Sequence, residues 1–179
     1  MAKVITFSTK FPTYHPKKGE PTYFVEKFLS SWDMVHGMAE IMKTPLIDSK
    51  LVDIDVYHTC IPKHHTIRSS NRWKAGDMFS PRVWGNDINP KSLRKGPYHS
   101  KQVIIAPDTQ IKQVWNFEIK NNSFYINDRQ YDGETESHFE LLEEIAKNDG
   151  LGRHDLLAWF KYPKPFTGQI ICWNENINY

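Results

Sequence analysis

Cysteine is scarce in this 179-residue chain: Cys60 and Cys172 are its only two, and they lie far apart. That leaves no disulfide framework and makes reduced, buried thiols the expectation. Long apolar runs are missing as well. No window approaches the roughly 18 apolar residues that a membrane span needs. The stretch from Met1 to Phe7 has too short an apolar run for a signal peptide, so a cytoplasmic protein without a membrane partner is expected. The chain carries no Gly-rich phosphate loop of the Walker type and no dinucleotide fingerprint, which removes support for ATP or NAD, and no cofactor is expected. A Gly-x-Ser-x-Gly elbow is absent too. Nor is there an internal repeat, a low-complexity segment or a Pro/Gly-rich linker, so one domain over 1–179 is the default reading.

What is present is unevenly placed. The net charge is only +2, yet Ile61 to Val103 holds nine basic residues (Lys63, Arg68, Arg72, Lys74, Arg82, Lys91, Arg94, Lys95 and Lys101) against Asp77 and Asp87. Interleaved with Trp73, Trp84 and Tyr98, that block suits a polyanion offering phosphates to the cations and bases to the rings. A solvated basic loop with no ligand would look the same.

The periodicities predict an α+β chain with strands at both ends. Val4 to Phe7 reads as a strand and Phe11 to Gly19 as a loop broken by Pro12, Pro16 and Gly19. Thr22 is a candidate N-cap for a helix in which Val25, Phe28, Leu29, Trp32, Val35, Ala39 and Met42 recur at helical spacing up to Pro45. Val52, Ile54 and Val56 alternate with Asp53, Asp55 and Tyr57, which predicts a half-buried strand. Strands are expected at Asp77 to Trp84, Gln110 to Lys120 and Ser123 to Ile126, the last two joined by Asn121-Asn122 in a tight turn, and Gly85 to Ser100 reads as a long exposed loop. Beyond Asp132-Gly133 the period becomes helical. Ser137 and Glu140 offer a capping box, Leu141, Leu142, Ile145 and Ala146 a buried face, and Gly150 a C′ residue. A short helix from Arg153 to Lys161, burying Leu156, Leu157 and Phe160, precedes a final strand from Gly168 to Trp173.

The densest chemistry lies in Lys63-His64-His65-Thr66-Ile67-Arg68, followed by Trp73-Lys74-Ala75-Gly76-Asp77. If Ile67 points into the core of a strand, period two sends His65 inward with it and puts Thr66 and Arg68 on the opposite face, with Lys63 just outside the strand end. The plain alternative is an exposed strand end with no ligand. Trp32, Trp115, Trp159 and Trp173 read as core, while Trp73 and Trp84 divide evenly between core and stacking platform. Tyr14, His15, Lys17 and Lys18 on the early loop extend the candidate surface. His58-x-Cys60 with His64-His65 is a zinc-friendly set if His58 and Cys60 share a strand face, but the spacing fits no standard motif and no fourth ligand is evident, so no metal is expected.

Taken in order, Ile5-Thr6-Phe7, a helix, Lys63-x-x-Thr66-Ile67-Arg68, Lys74-x-Gly76-Asp77, a helix ending near Asp149-Gly150-Leu151 and a last strand resemble the ASCH domain. The resemblance spans nearly the whole chain and implies a PUA-like fold, a small mixed β-barrel with flanking helices found in RNA-associated proteins. The stretch of about 9–62 is longer than in compact members. Phe11-Pro12, Gly19-Glu20-Pro21-Thr22 and Gly96-Pro97-Tyr98 make it similar to a variant known from phage and prophage relatives. Compact members include amidohydrolases that deacetylate 4-acetylcytidine with a threonine, a lysine and a glutamate. On this chain the lysine falls on Lys63 and the threonine on Thr66, and the acidic position falls near Asp149, one methylene shorter.

Those residue types fit the chemistry. A threonine hydroxyl becomes a nucleophile when a neighbour accepts its proton, and a carboxylate can orient the lysine or carry the proton to the leaving amine. Shortening the acid by one bond moves it by about 1 Å, enough to cost on the order of a hundredfold in rate. The first expectation is therefore binding of RNA or a modified nucleoside around Lys63, Thr66 and Arg68, with Trp73, Lys74, Trp84 and Tyr98 contributing. An amidohydrolase using Lys63, Thr66 and Asp149 is the second, and a protein–protein module of a mobile element the third.

Overall fold

The computed structural model describes residues 2–36, 46, 51–132 and 135–179. The chain is mixed α+β, with nine strands in two sheets and four helices among the described residues. Its backbone divides into two compact units. The first comprises Met1–Lys10, Glu20–Pro62 and Met78–Thr109; the second comprises Phe11–Gly19, Lys63–Asp77 and Gln110–Tyr179. No helix among the described residues is long and apolar enough to cross a membrane.

In the first unit, β1 (Lys3–Phe7) runs parallel to β3 (Met78–Trp84), from Lys3 opposite Phe79 to Phe7 opposite Val83. A parallel pair needs a crossover, and helix α1 (Phe24–His36) lies on that connection. Its Val25, Phe28, Leu29 and Trp32 are buried at the spacing expected, and the Phe28 ring lies 5.0 Å from Phe7 and 6.3 Å from Phe79. β4 (Gln102–Ile104) adds antiparallel to β3, and the two-residue β5 (Thr109–Gln110) follows it in the chain, at the boundary of the two units. Thr22 stands one residue ahead of the N-cap position. It is Tyr23, at φ 56°, whose carbonyl accepts the Lys27 N–H, although Thr22 Oγ1 still accepts from Phe24 N–H at 3.4 Å. The continuation of this helix to Ala39, Met42 and Pro45 lies outside the described residues, as does Gly133.

The strand expected at Val52 to Val56 is instead a helix, α2 (Ile54–Thr59). Asp53 caps it, accepting the N–H groups of Asp55 and Val56 on its carboxylate. A satisfied N-cap outweighs three alternating apolar residues, one of which, Ile54, faces solvent. The helix is tied to α1 by Tyr57 Oη donating to Asp33 Oδ2 at 2.9 Å and by Glu26 accepting Asp53 N–H. His58 therefore sits on a helix and Cys60 at its C-cap, so the shared strand face that a zinc reading required is not there.

The second unit is built on an antiparallel sheet in the order β2 (His65–Arg68), β9 (Phe166–Cys172), β6 (Gln113–Lys120), β7 (Ser123–Ile126) and β8 (Arg129–Tyr131). Neither sheet closes on itself among the described residues. Asn121 and Asn122, at φ 52° and 57°, make the β6–β7 turn as their side chains allow. Asn127 and Asp128 repeat the device into β8. Trp115, Phe117, Ile119, Ile170 and Ile171 of this sheet are buried, the adjacent Ile170 and Ile171 on opposite faces, as are Leu142, Ile145 and Ala146 of α3 (Glu136–Asn148). α3 begins earlier than the Ser137 capping box would set it: Thr135 is the N-cap, and its hydroxyl binds Asp132 rather than the helix. α4 (Arg153–Trp159) ends two residues before Lys161 and buries Leu156. Gly168 of β9 passes so close to β2 that a Cβ there would collide with the Arg68 carbonyl, which fixes glycine at that position.

Candidate functional site

β2 carries the motif as a strand, and its flanks determine what each side chain can do. Just before it, the His64 N–H donates to the Asn148 carbonyl at 2.8 Å, and the His64 carbonyl accepts from Trp173 N–H. The segment entering β2 is thus stitched between the end of α3 and the end of β9. That end of α3 is a Schellman motif: Leu151 N–H reaches back to the Ala146 carbonyl, Gly150 N–H to the Lys147 carbonyl, and Gly150 takes φ 76°. The motif fixes Asp149 as the C-cap.

Lys63, only 1 % exposed, points its ammonium at this helix end. It donates to Asp149 Oδ1 at 2.7 Å and also to the Asp149 backbone carbonyl. One buried cation therefore neutralises a carboxylate and satisfies a carbonyl where the helix dipole is negative. His65, the first residue of β2, closes the cluster, with Nδ1 3.6 Å from Asp149 Oδ1, an electrostatic contact longer than a hydrogen bond. Its Nε2 lies 2.9 Å from Tyr179 Oη, which in turn accepts from Asn148 Nδ2 at 2.9 Å. The donors then run in one direction, from Asn148 to Tyr179 to His65, with the His65 Nδ1–H facing Asp149.

Burial alone would raise the Asp149 carboxyl, but the Lys63 ammonium and the His65 ring outweigh it and hold it below its ordinary range. Burial lowers His65 more than the Asp149 charge restores, so the ring is neutral at neutral pH. Burial also lowers His64 and pushes the Tyr179 phenol up. Thr66 is buried on the intervening position and pairs with Ile171. Among the described residues, no hydrogen bond joins its hydroxyl to Lys63 or Asp149.

At the other end of β2 the surface opens. A groove of about 320 Å³ is lined by Ile67, Arg68 and Ser69 of the strand end, by Tyr14, and by Trp159, Phe160, Lys161 and Phe166. That volume stands at the small end of the roughly 300–1,000 Å³ typical of ligand sites. Burial lowers the Arg68 guanidinium, and the Asp149 charge pulls the other way, so the groove and the buried cluster share an electrostatic field. Tyr14, 49 % exposed, is oriented by its hydroxyl, which donates to the Trp159 carbonyl at 2.9 Å. Its loop is anchored to α4 by His15, whose Nδ1 accepts Lys17 N–H while its Nε2–H faces the Asp155 carbonyl, and by the 2.8 Å ion pair of Lys17 with Asp155. Phe160 and Phe166 pack at 4.5 Å on each other and about 6 Å from Phe117.

Lys161 occupies the C′ position of a second Schellman motif, in which Tyr162 N–H reaches the Leu157 carbonyl and Lys161 N–H the Ala158 carbonyl. It does so at φ 56°, a conformation that glycine normally supplies. Its ammonium stands 4.1 Å from the centre of the Tyr14 ring.

The structure brings Lys63 and Asp149 together, adds His65 to them, and places Arg68 in the groove. Trp73 is 3 % exposed, with its backbone N–H held by Gln169 and the Arg72 guanidinium over its ring, so it has no open face for stacking. Lys74 is exposed on a turn capped by Asp77. Trp84 and Tyr98 belong to the first unit, where their rings pack at 5.3 Å and Tyr98 is 88 % exposed. The two cysteines are free thiols, Cys172 buried with its pKa pushed up to about 12 and Cys60 partly covered. No family model, curated protein or solved structure matches the chain.

Proposed function

We propose that the chain binds an unpaired base of RNA, or a modified nucleoside, in the groove at the end of β2, as an ASCH-like protein with a PUA-like fold. The observation that carries this reading is the groove itself: four aromatic side chains and two cations around about 320 Å³, beginning at Arg68 of the Lys-x-x-Thr-x-Arg strand. Aromatic faces stack on any base, and cations draw the phosphate backbone. Lys63 has a supporting part, because its ammonium is held by Asp149 and does not line the groove. The test is fluorescence anisotropy with a labelled single-stranded RNA. Affinity should fall steeply between low and physiological salt, and Tyr14→Ala should weaken it by about 5- to 100-fold, the worth of one stacked base. Salt-independent binding, or binding untouched by Tyr14→Ala, would reject the groove.

A second reading is favoured by one distance, the 2.7 Å between Lys63 Nζ and Asp149 Oδ1. An amidohydrolase would first have Lys63 pass a proton to Asp149 across that contact; the neutral amine would then take the proton of the Thr66 hydroxyl as it adds to the acetyl carbonyl of 4-acetylcytidine. The C–N bond then breaks, the proton passes to the leaving amine, and water releases acetate from the threonine ester. Incubation with 4-acetylcytidine should then yield cytidine in the parent chain and none in Thr66→Ala. Absence of turnover, or turnover that survives Thr66→Ala, disposes of it.

A further inference from the structure

The charge around the groove narrows what can occupy it. Its charged lining side chains, Arg68 and Lys161, are both cationic, and its lining residues include no carboxylate. The rest of the wall is aromatic or aliphatic apart from Ser69. An uncharged nucleoside would use the rings but bring no negative charge to the two cations.

The position of Lys161 adds an independent observation. Left-handed backbone is unfavourable for an L-residue, and helix C′ positions are usually filled by glycine for that reason. Here the position holds a lysine at φ 56°, with the ammonium brought over Tyr14 at the rim. Of the non-glycine residues with positive φ among the described residues, Lys161 is the one that lines the groove, and it brings a cation there.

Resting on the groove reading above, we infer that the groove takes a phosphorylated nucleotide unit, a base with its own phosphate, rather than a free nucleoside, with Lys161 and Arg68 receiving the phosphate and the Tyr14 and Trp159 rings receiving the base. Lys161 thereby sets specificity. Trp159 reports occupancy directly, since it lines the groove.

The experiment is a titration of the full chain, followed by tryptophan fluorescence and calorimetry, with the four ribonucleosides, their 5′-monophosphates and inorganic phosphate. At least one monophosphate should bind about tenfold or more tightly than its nucleoside, as a charge-assisted contact implies. That preference should collapse at high salt and in Lys161→Gly, a substitution that suits the backbone and should leave the melting temperature unchanged or higher. In Tyr14→Ala, nucleotide and nucleoside should weaken together. A nucleoside binding as tightly as its monophosphate overturns the phosphate inference while leaving the groove reading standing. Phosphate alone matching the nucleotide overturns it too, by removing the base. If no nucleoside, nucleotide or single-stranded RNA binds, both fall.

Discussion

The second unit contains two helix ends built on the same hydrogen-bond scheme and put to opposite use. At the end of α3, glycine supplies the left-handed residue and a lysine from a distant part of the chain caps the carbonyl, deep in the protein. At the end of α4, the lysine is itself the left-handed residue, and it stands exposed over a tyrosine ring. In the first case the cation is held by a carboxylate at 2.7 Å. In the second it borders an open groove with no carboxylate among its lining residues. The same side chain acts as a structural pin in one place and as a ligand-facing group in the other, and its surroundings decide which.

The strongest way to break this contrast is at Lys63. Lys63→Met leaves the Asp149 carboxylate buried without its ammonium and should cost about 3–5 kcal/mol, read from urea unfolding. A loss under about 1 kcal/mol would mean that the buried pair is not a pin. A milder probe is pH. Because the folded His65 and His64 pKa values are lowered below the ordinary 6.5, the unfolded chain takes up protons first as pH falls. Stability should therefore decline from pH 7 to pH 5, and the decline should shrink in His65→Gln. Asp149 does not enter that window. Its carboxyl is held below the usual 3.8, so its contribution stays intact until the solution is more acidic than about pH 4. Thermal melts at pH 7.5, 6 and 5 give the answer, and a flat profile would contradict a neutral buried His65. The smallest effects are the most specific. Gly150→Ala should destabilise by about 1 kcal/mol and Lys161→Gly should be neutral or stabilising by a similar amount, so the two helix ends answer the same backbone question with opposite signs. Equal signs in paired chemical melts would erase the distinction.

Much of the fold is legible because it is periodic. The face of α1, the Asn121-Asn122 turn, the buried side of α3, Gly150 at C′ and the last strand all follow from spacing and from residues that tolerate positive φ. Val52 to Val56 misleads because a three-residue alternation competes with an N-cap aspartate one position in, and the cap prevails. The strands Gln102–Ile104 and Arg129–Tyr131 are too short to carry a pattern. The site is legible only in part. Lys63 with Asp149 could be anticipated from order along the chain and a family resemblance, whereas His65 gained its place through a fold contact with the α3 C-cap. The groove draws on Tyr14, on residues 67–69 and on residues 159–166, three segments that topology alone gathers. The Asn127-Asp128 pair and the run Trp159-Phe160-Lys161 were the available signals, the first for a hairpin and the second for an aromatic-cationic helix end.

The stitching of His64 between Asn148 and Trp173 has a consequence in time rather than in space. One residue's two backbone groups join a helix end to a strand end, so residues 63–68, the last turn of α3 and the end of β9 should open together or not at all, as one unit of amide exchange. The Tyr14 loop and Lys161 lie outside that unit. The groove's rim can therefore rearrange on the fast timescale of surface loops while its base, anchored through β2, exchanges only as slowly as the unit unfolds.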